Sequence, residues 1–139
     1  MHSQTREKPL SVGTGKPTQS PGGPRCDRIE HGMKRYGMVL RLRPEHEAEY
    51  RKYHDAVWPE VLDVIRQCNV RNYTIFLRAG VLFGYYEYVG TDWAADMAKM
   101  GTFPKMREWW DIMEPMQEPM ADRQPGEWWS FMEEVFHTE

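Results

Sequence analysis

Two residues, Ala79 and Gly80, separate two strand-like runs, VRNYTIFLR (70–78) and VLFGYYEYV (81–89). Both runs are rich in β-branched and aromatic side chains, and so short a connection returns the chain directly alongside itself. The centre of the chain is therefore an antiparallel hairpin, around which every other element has to be arranged. Upstream, KRYGMVLRLR (34–43) alternates, with Tyr36, Met38, Leu40 and Leu42 on one face and Arg35, Arg41 and Arg43 on the other. That is the pattern of a half-buried strand.

Helical patterns fill the spaces on either side of the hairpin. Pro44 opens the stretch PEHEAEYRKYHDAVW, whose acids lie in the first turn, where the helix dipole favours them. Apolar and aromatic side chains recur at Tyr50, His54, Val57, Trp58, Val61, Leu62 and Ile65. Pro59 interrupts this pattern and either kinks or restarts the helix, because it has no N–H to donate. Beyond the hairpin, DWAADMAKM reads as a helix with Asp92 as its N-cap. Residues 101–104 break it, KMREWWDIM continues it, residues 114–126 form a proline-containing loop, and residues 127–137 (EWWSFMEEVFH) read as a closing strand.

The order β-α-β-β-α-β is that of a ferredoxin-like α+β fold, an antiparallel sheet with its helices on one face. The other face is bare. Its aromatic content points to a second copy of the chain as the cover, which gives a dimeric α+β barrel. The folded unit is placed at residues 33–139. Residues 1–32 read as a disordered extension, because SVGTGKPTQSPGGP (11–24) has almost no apolar side chain to offset the entropy of ordering it, and Met33 is an alternative start.

Several function classes fall away at this stage. The net charge is −3 with no basic stripe, which points away from nucleic acid. The apolar runs are too short to span a membrane, and no signal peptide is visible. Two cysteines, Cys26 and Cys68, make no disulfide framework, and a cytoplasmic location is expected. Neither HExxH nor CxxC occurs.

The densest chemical cluster is YRKYHDAVWPE (50–60). Tyr50, His54 and Trp58 are spaced i, i+4, i+8, which puts a hydroxyl, an imidazole and an indole on one face of a continuous helix. Two polar groups beside a flat apolar surface suit a sugar ring, and imidazole exchanges protons near neutrality. A core face with one satisfied polar atom explains the same spacing. Trp109 and Trp110 are adjacent on a helix and point about 100° apart, so that one can pack inward while the other edges into a cavity. Tyr73, on the first hairpin strand, offers either a packed ring or a hydroxyl directed beneath the helices. Glu87, among Tyr85, Tyr86 and Tyr88, is either a proton-transfer carboxylate or a solvated one. Trp128 and Trp129 are assigned to packing or to a dimer interface.

Together these residues resemble the L-rhamnose mutarotase family. The carrying segments are MVLRLRP (38–44), EYRKYHDAVWPE (49–60), NYTIFL (72–77), LFGYYE (82–87), REWW (107–110) and EVF (134–136), in the family's order from about Met33 onward. The resemblance implies a dimeric α+β barrel that is active on L-rhamnose or a close relative, with no metal or organic cofactor. It implies His54 as the proton donor, Tyr50 and Tyr73 as sugar-binding residues, and Trp109 and Trp110 as the pocket wall. The short turn at Ala79-Gly80 and the N-terminal extension depart from the family pattern.

Mutarotation opens the ring hemiacetal and closes it on the other face. His54 is assigned as general acid at the ring oxygen. Trp58 is a further candidate for the apolar wall, and water or Glu87 is a candidate acceptor of the anomeric proton. Two alternatives share the fold or the composition. One is a monooxygenase or haem-degrading enzyme on the same barrel, and the other is a non-catalytic small-molecule binding module.

Overall fold

The computed structural model describes residues 26–27 and 32–139. The expected disordered extension over residues 1–32 therefore falls, apart from Cys26, Asp27 and Gly32, outside the described residues. The elements run β1 (Cys26–Asp27), β2 (Met33–Leu42), α1 (Glu47–Asp55), α2 (Pro59–Gln67), β3 (Val70–Arg78), β4 (Val81–Tyr88), α3 (Trp93–Met100), α4 (Pro104–Met113), β5 (Gln117–Glu118) and β6 (Ser130–Met132). Short 3-10 turns precede α1 and follow α4.

Every strand pairing is antiparallel, in the order β3-β4-β2, and the far edge of β2 is shared by three short segments. Along that edge β1 pairs at Met33 and Lys34, β6 at Gly37 to Val39, and β5 at Arg41 and Leu42. The α+β class and the central antiparallel hairpin match expectation. Two boundaries do not. The closing strand is only Ser130–Met132 instead of 127–137, because Trp128 and Trp129 turn inward ahead of it. The expected loop 114–126 contains β5, since a strand as long as β2 leaves backbone groups at its C-terminal end that need partners.

Alternation along β2 holds: Met38, Leu40 and Leu42 are buried under the helices. Leu40 and Leu42 meet Val61, Val64 and Cys68 of the second helical segment, Leu82 of β4, and Met106, Trp109 and Met113 of α4, whereas Met38 packs with Val70, Tyr86 and Tyr88. Pro59 restarts the helix. The chain leaves helical geometry at Ala56 (φ −144°, ψ 61°), and Pro59 then occupies the first position of α2, where its missing N–H costs nothing. Asp92 caps α3 as expected, its carboxylate accepting from the Ala95 N–H at 3.1 Å.

The hairpin turn has positive φ at both central residues, 50° at Ala79 and 74° at Gly80. This is the type I′ requirement, which matches the twist of the strands it joins. Gly80 meets it freely, whereas Ala79 places a Cβ in the left-handed region at a cost of roughly 1–2 kcal/mol. Ala79→Asn is therefore expected to stabilise the fold by about 0.5–1 kcal/mol and to raise the thermal midpoint by a few degrees. Calorimetry checks this, and a lowered midpoint would show that the turn does not hold this geometry.

Candidate active site

A cavity of about 620 Å³ lies between the helix-facing side of the sheet and the helices, and the segment around Pro125–Trp129 forms part of its wall. Tyr50, His54, Tyr73, Trp109 and Trp110 all line it. The first two belong to α1, Tyr73 to β3 and the tryptophans to α4, so that three separate elements bring the five side chains together.

The reach of Tyr73 depends on a bulge. Arg71 pairs with Glu87 and Thr74 with Tyr85, so that Asn72 and Tyr73 together oppose Tyr86 alone. Side chains alternate along a strand, and one extra residue reverses every face assignment beyond it. Without the bulge Tyr73 would share the outer face with Arg71. With it, Tyr73 lies at the cavity edge-on to Tyr86, with ring centroids 5.9 Å apart. Asn72 supplies the bulge: it adopts φ 50°, a conformation asparagine tolerates better than most residues, and its side-chain amide donates to Glu87 at 2.8 Å.

His54 is held on two sides. Its ring stacks on Tyr50 at a centroid distance of 4.1 Å and meets the edge of Trp109 at 5.4 Å. Its Nδ1 lies 2.8 Å from the Tyr50 carbonyl oxygen. A carbonyl only accepts, so Nδ1 carries the hydrogen and Nε2 holds the lone pair of the neutral ring. Burial lowers the His54 pKa below its usual 6.5, opposed by the Tyr50 carbonyl and by Asp55. At neutral pH the resting imidazole is uncharged and Nε2 is a base.

Tyr50 is buried, and its phenol pKa is pushed up to about 12 by that burial, against a smaller opposing effect of Gln117. Tyr73, 37% exposed where its ring lines the cavity, is likewise pushed above the ordinary phenol range by desolvation between the helices and the sheet and by the neighbouring Tyr50 and Tyr86 phenols. Both hydroxyls therefore keep their protons throughout the neutral range.

One sequence assignment is corrected, one open alternative is narrowed and one assignment is extended. Trp58 does not continue the Tyr50–His54 face, because α1 ends at Asp55. Trp58 packs edge-on behind Trp109 at 5.3 Å and carries the Lys105 ammonium over its ring at 5.5 Å, so it supports the wall without lining it. Glu87 is absent from the cavity wall: it alternates with the buried Tyr86 and Tyr88 and engages Asn72 and Tyr85 on the opposite face of the sheet. Trp128 and Trp129, assigned to packing or to an interface, do pack against the core, and both also line the cavity. Sequence reasoning also missed Gln117, a buried polar side chain at the cavity, whose only signal was a glutamine in a proline-rich loop. Among the described residues, no group of three or more His, Cys, Asp and Glu side chains could hold a metal ion. No helix among them is long and apolar enough to cross a membrane.

Residues 35–138 match the sequence model of a family described as L-rhamnose mutarotase. Curated relatives of that name include one from Sinorhizobium fredii, 34% identical over 98 residues that cover 67% of this chain and 88% of the relative. One from Rhizobium meliloti is 36% identical over the same coverage. A third, from Oceanobacillus iheyensis, is 32% identical over 109 residues, covering 77% of this chain and all of the relative. The crystal structure of an L-rhamnose mutarotase from Formosa agariphila superposes with a TM-score of 0.57 at 26% identity, covering 76% of this chain and 98% of that one.

Proposed function

The chain belongs to the L-rhamnose mutarotase family of anomer-interconverting carbohydrate isomerases, and from that premise we propose that it interconverts the α and β anomers of L-rhamnose or a closely related aldose in the cavity walled by Trp109 and Trp110. The observation that carries the site assignment is His54, fixed by the Tyr50 carbonyl with Nε2 as its free nitrogen.

Ring opening moves one proton from the anomeric hydroxyl to the ring oxygen as the bond between C1 and the ring oxygen breaks. Both oxygens are bonded to C1, so one imidazole can serve both. Neutral His54 Nε2 takes the anomeric proton, the C1–ring oxygen bond breaks as the C1 carbonyl forms, and the imidazolium hands the proton to the departing ring oxygen. The acid role assigned from the sequence is thus the second half of a shuttle whose first half is base catalysis, and no carboxylate is needed as acceptor. After rotation about C1–C2, the reverse transfers close the ring on the other face. Tyr50 and Tyr73 hydrogen-bond the sugar, and the two tryptophans face its apolar side.

Saturation-transfer NMR on an equilibrated L-rhamnose solution tests this reading. Exchange between anomers faster than in protein-free buffer is the expected result. Unaltered exchange across a panel of aldoses overturns it.

The same proposal includes a homodimer. Phe76 and Phe83 pair across β3 and β4 with their rings stacked at 6.3 Å on the face away from the helices, and both are exposed, at 58% and 36%. Met132 of β6 extends this apolar surface, which supports closure of two sheets into a barrel. Wild type is expected to elute as a dimer in size-exclusion chromatography with light scattering, and a Phe76→Glu/Phe83→Glu double variant as a monomer. A monomeric wild type, or a variant that stays dimeric, removes this interface.

A further inference from the structure

Gln117 sets the hydrogen-bonding role of one phenol in the cavity, that of Tyr50. Its side-chain oxygen accepts from the Trp128 indole N–H at 2.9 Å. Indole N–H is a donor only, so this bond decides which end of the amide is oxygen and turns Nε2 toward the Tyr50 hydroxyl, at the longer distance of 3.5 Å. An amide nitrogen is in turn a donor only. The Tyr50 oxygen therefore accepts on that side, and its single hydrogen has to point elsewhere.

Two chemical roles are thereby fixed side by side in one cavity. His54 Nε2 is an acceptor, because Nδ1 donates to the Tyr50 carbonyl. Tyr50 Oη has its hydrogen free to donate into the cavity, because Gln117 donates to one of its lone pairs. The rings carrying these atoms are stacked with centroids 4.1 Å apart. A cyclic hemiacetal presents the matching pair at C1: an anomeric O–H that donates and a ring oxygen that has no hydrogen and only accepts. The remaining hydroxyls of an aldose donate and accept alike, so a directed donor does not discriminate among them. At the ring oxygen a directed donor is the matching partner.

We infer that Gln117, itself oriented by Trp128, is a positioning residue that directs the Tyr50 hydroxyl hydrogen toward the ring oxygen of the bound aldose. This inference rests on the mutarotase reading. Its consequence for the reaction is electrostatic. As the C1–ring oxygen bond breaks, negative charge grows on that oxygen before the proton from His54 arrives. A donor already aimed at it stabilises the developing alkoxide without reorganisation. Tyr50 keeps its own proton throughout, so the only proton transferred is the one that leaves the anomeric hydroxyl.

Gln117→Glu is the discriminating variant. An ionised carboxylate at this position accepts from both Trp128 and Tyr50, which draws the Tyr50 hydrogen away from the sugar. The expected result on L-rhamnose is a fall in kcat of roughly ten- to a hundredfold with little change in KM, since the lost stabilisation belongs to the transition state. Once protonated, the introduced carboxyl group can again accept from Trp128 and donate to Tyr50. The ratio of variant to wild-type rate is therefore expected to climb as pH is lowered, which loss of packing would not produce. Trp128→Phe keeps an aromatic ring but frees the amide to flip, and a smaller fall in kcat of roughly three- to tenfold is expected. It also serves as the test should Gln117→Glu fail to fold. A variant-to-wild-type ratio that is flat with pH, or wild-type kcat in either variant, overturns the role of Gln117 while leaving the mutarotase reading standing. Absence of exchange by the wild type under the same conditions sinks both.

Discussion

Replacement of His54 by asparagine is expected to slow L-rhamnose anomer exchange by roughly 10²- to 10⁴-fold while the sugar still binds. Asparagine can keep a donor near the Tyr50 carbonyl, where Nδ1 now sits at 2.8 Å, but it offers no nitrogen that titrates. The loss should therefore fall on kcat, with KM changed much less. The pH profile supplies a second signature. Burial lowers the His54 pKa below 6.5, so the basic form persists to pH values lower than for a free imidazole. The acid limb of wild-type kcat/KM should accordingly have its midpoint below 6.5, with rate lost as pH falls through it, and the limb should vanish in the variant. The same shift is linked to stability. The unfolded chain takes up a proton on this side chain before the folded one does, so stability is full above the ordinary imidazole pKa and declines as pH drops from there toward the folded pKa. Saturation transfer on both proteins, with sugar-induced change in tryptophan fluorescence as the binding control, checks the set. A His54→Asn protein that exchanges anomers at the wild-type rate would exclude the imidazole from the chemistry.

What the sequence could and could not disclose follows from the range of the interactions involved. Tyr50 and His54 were legible as a pair because both lie within one helix, where four residues bring side chains onto one face. Trp58 obeyed the same arithmetic and was misplaced, because Pro59 ends that periodicity and starts a new helix with its own phase. The protonation state of His54 was not legible, since it depends on burial and on one backbone carbonyl. Tyr73 could be proposed as a cavity hydroxyl only as one of two choices, because the deciding feature is the bulge at Asn72, which appears when β3 is aligned against β4. Gln117 and Trp128 were beyond reach for a related reason. Their burial is created by the unclaimed edge of β2, which draws β5 in at Arg41 and Leu42, and no local pattern in a proline-rich segment announces such a long-range pairing. The bare sheet face, in contrast, was readable from the order of elements, which puts the helices on one side; Phe76 and Phe83 stand on the other, opposite Leu77 and Leu82.

The two adjacent tryptophans are expected to respond oppositely to truncation. Trp109 is 6% exposed and lies in ring contact with Tyr53, His54 and Trp58 at centroid distances of 6.0, 5.4 and 5.3 Å. Trp109→Ala removes the common partner of all three, and loss of a buried indole from a packed core costs roughly 3–5 kcal/mol. For a folded unit of this size the thermal midpoint should drop by more than about 10 °C. Trp110, one residue on, is only half-buried and stands at the cavity wall next to Gly101. Its truncation forfeits less buried surface, roughly 1–2 kcal/mol of stability. It also removes a flat apolar partner for the sugar, which should raise KM by roughly two- to tenfold. Calorimetry and exchange kinetics on the pair separate the roles: both wall the cavity, but Trp109 in addition holds the imidazole in place through the core, whereas Trp110 chiefly receives the substrate. If Trp110→Ala unfolds as early as Trp109→Ala with an unchanged KM, both indoles are core and the sugar-facing wall lies elsewhere in the cavity.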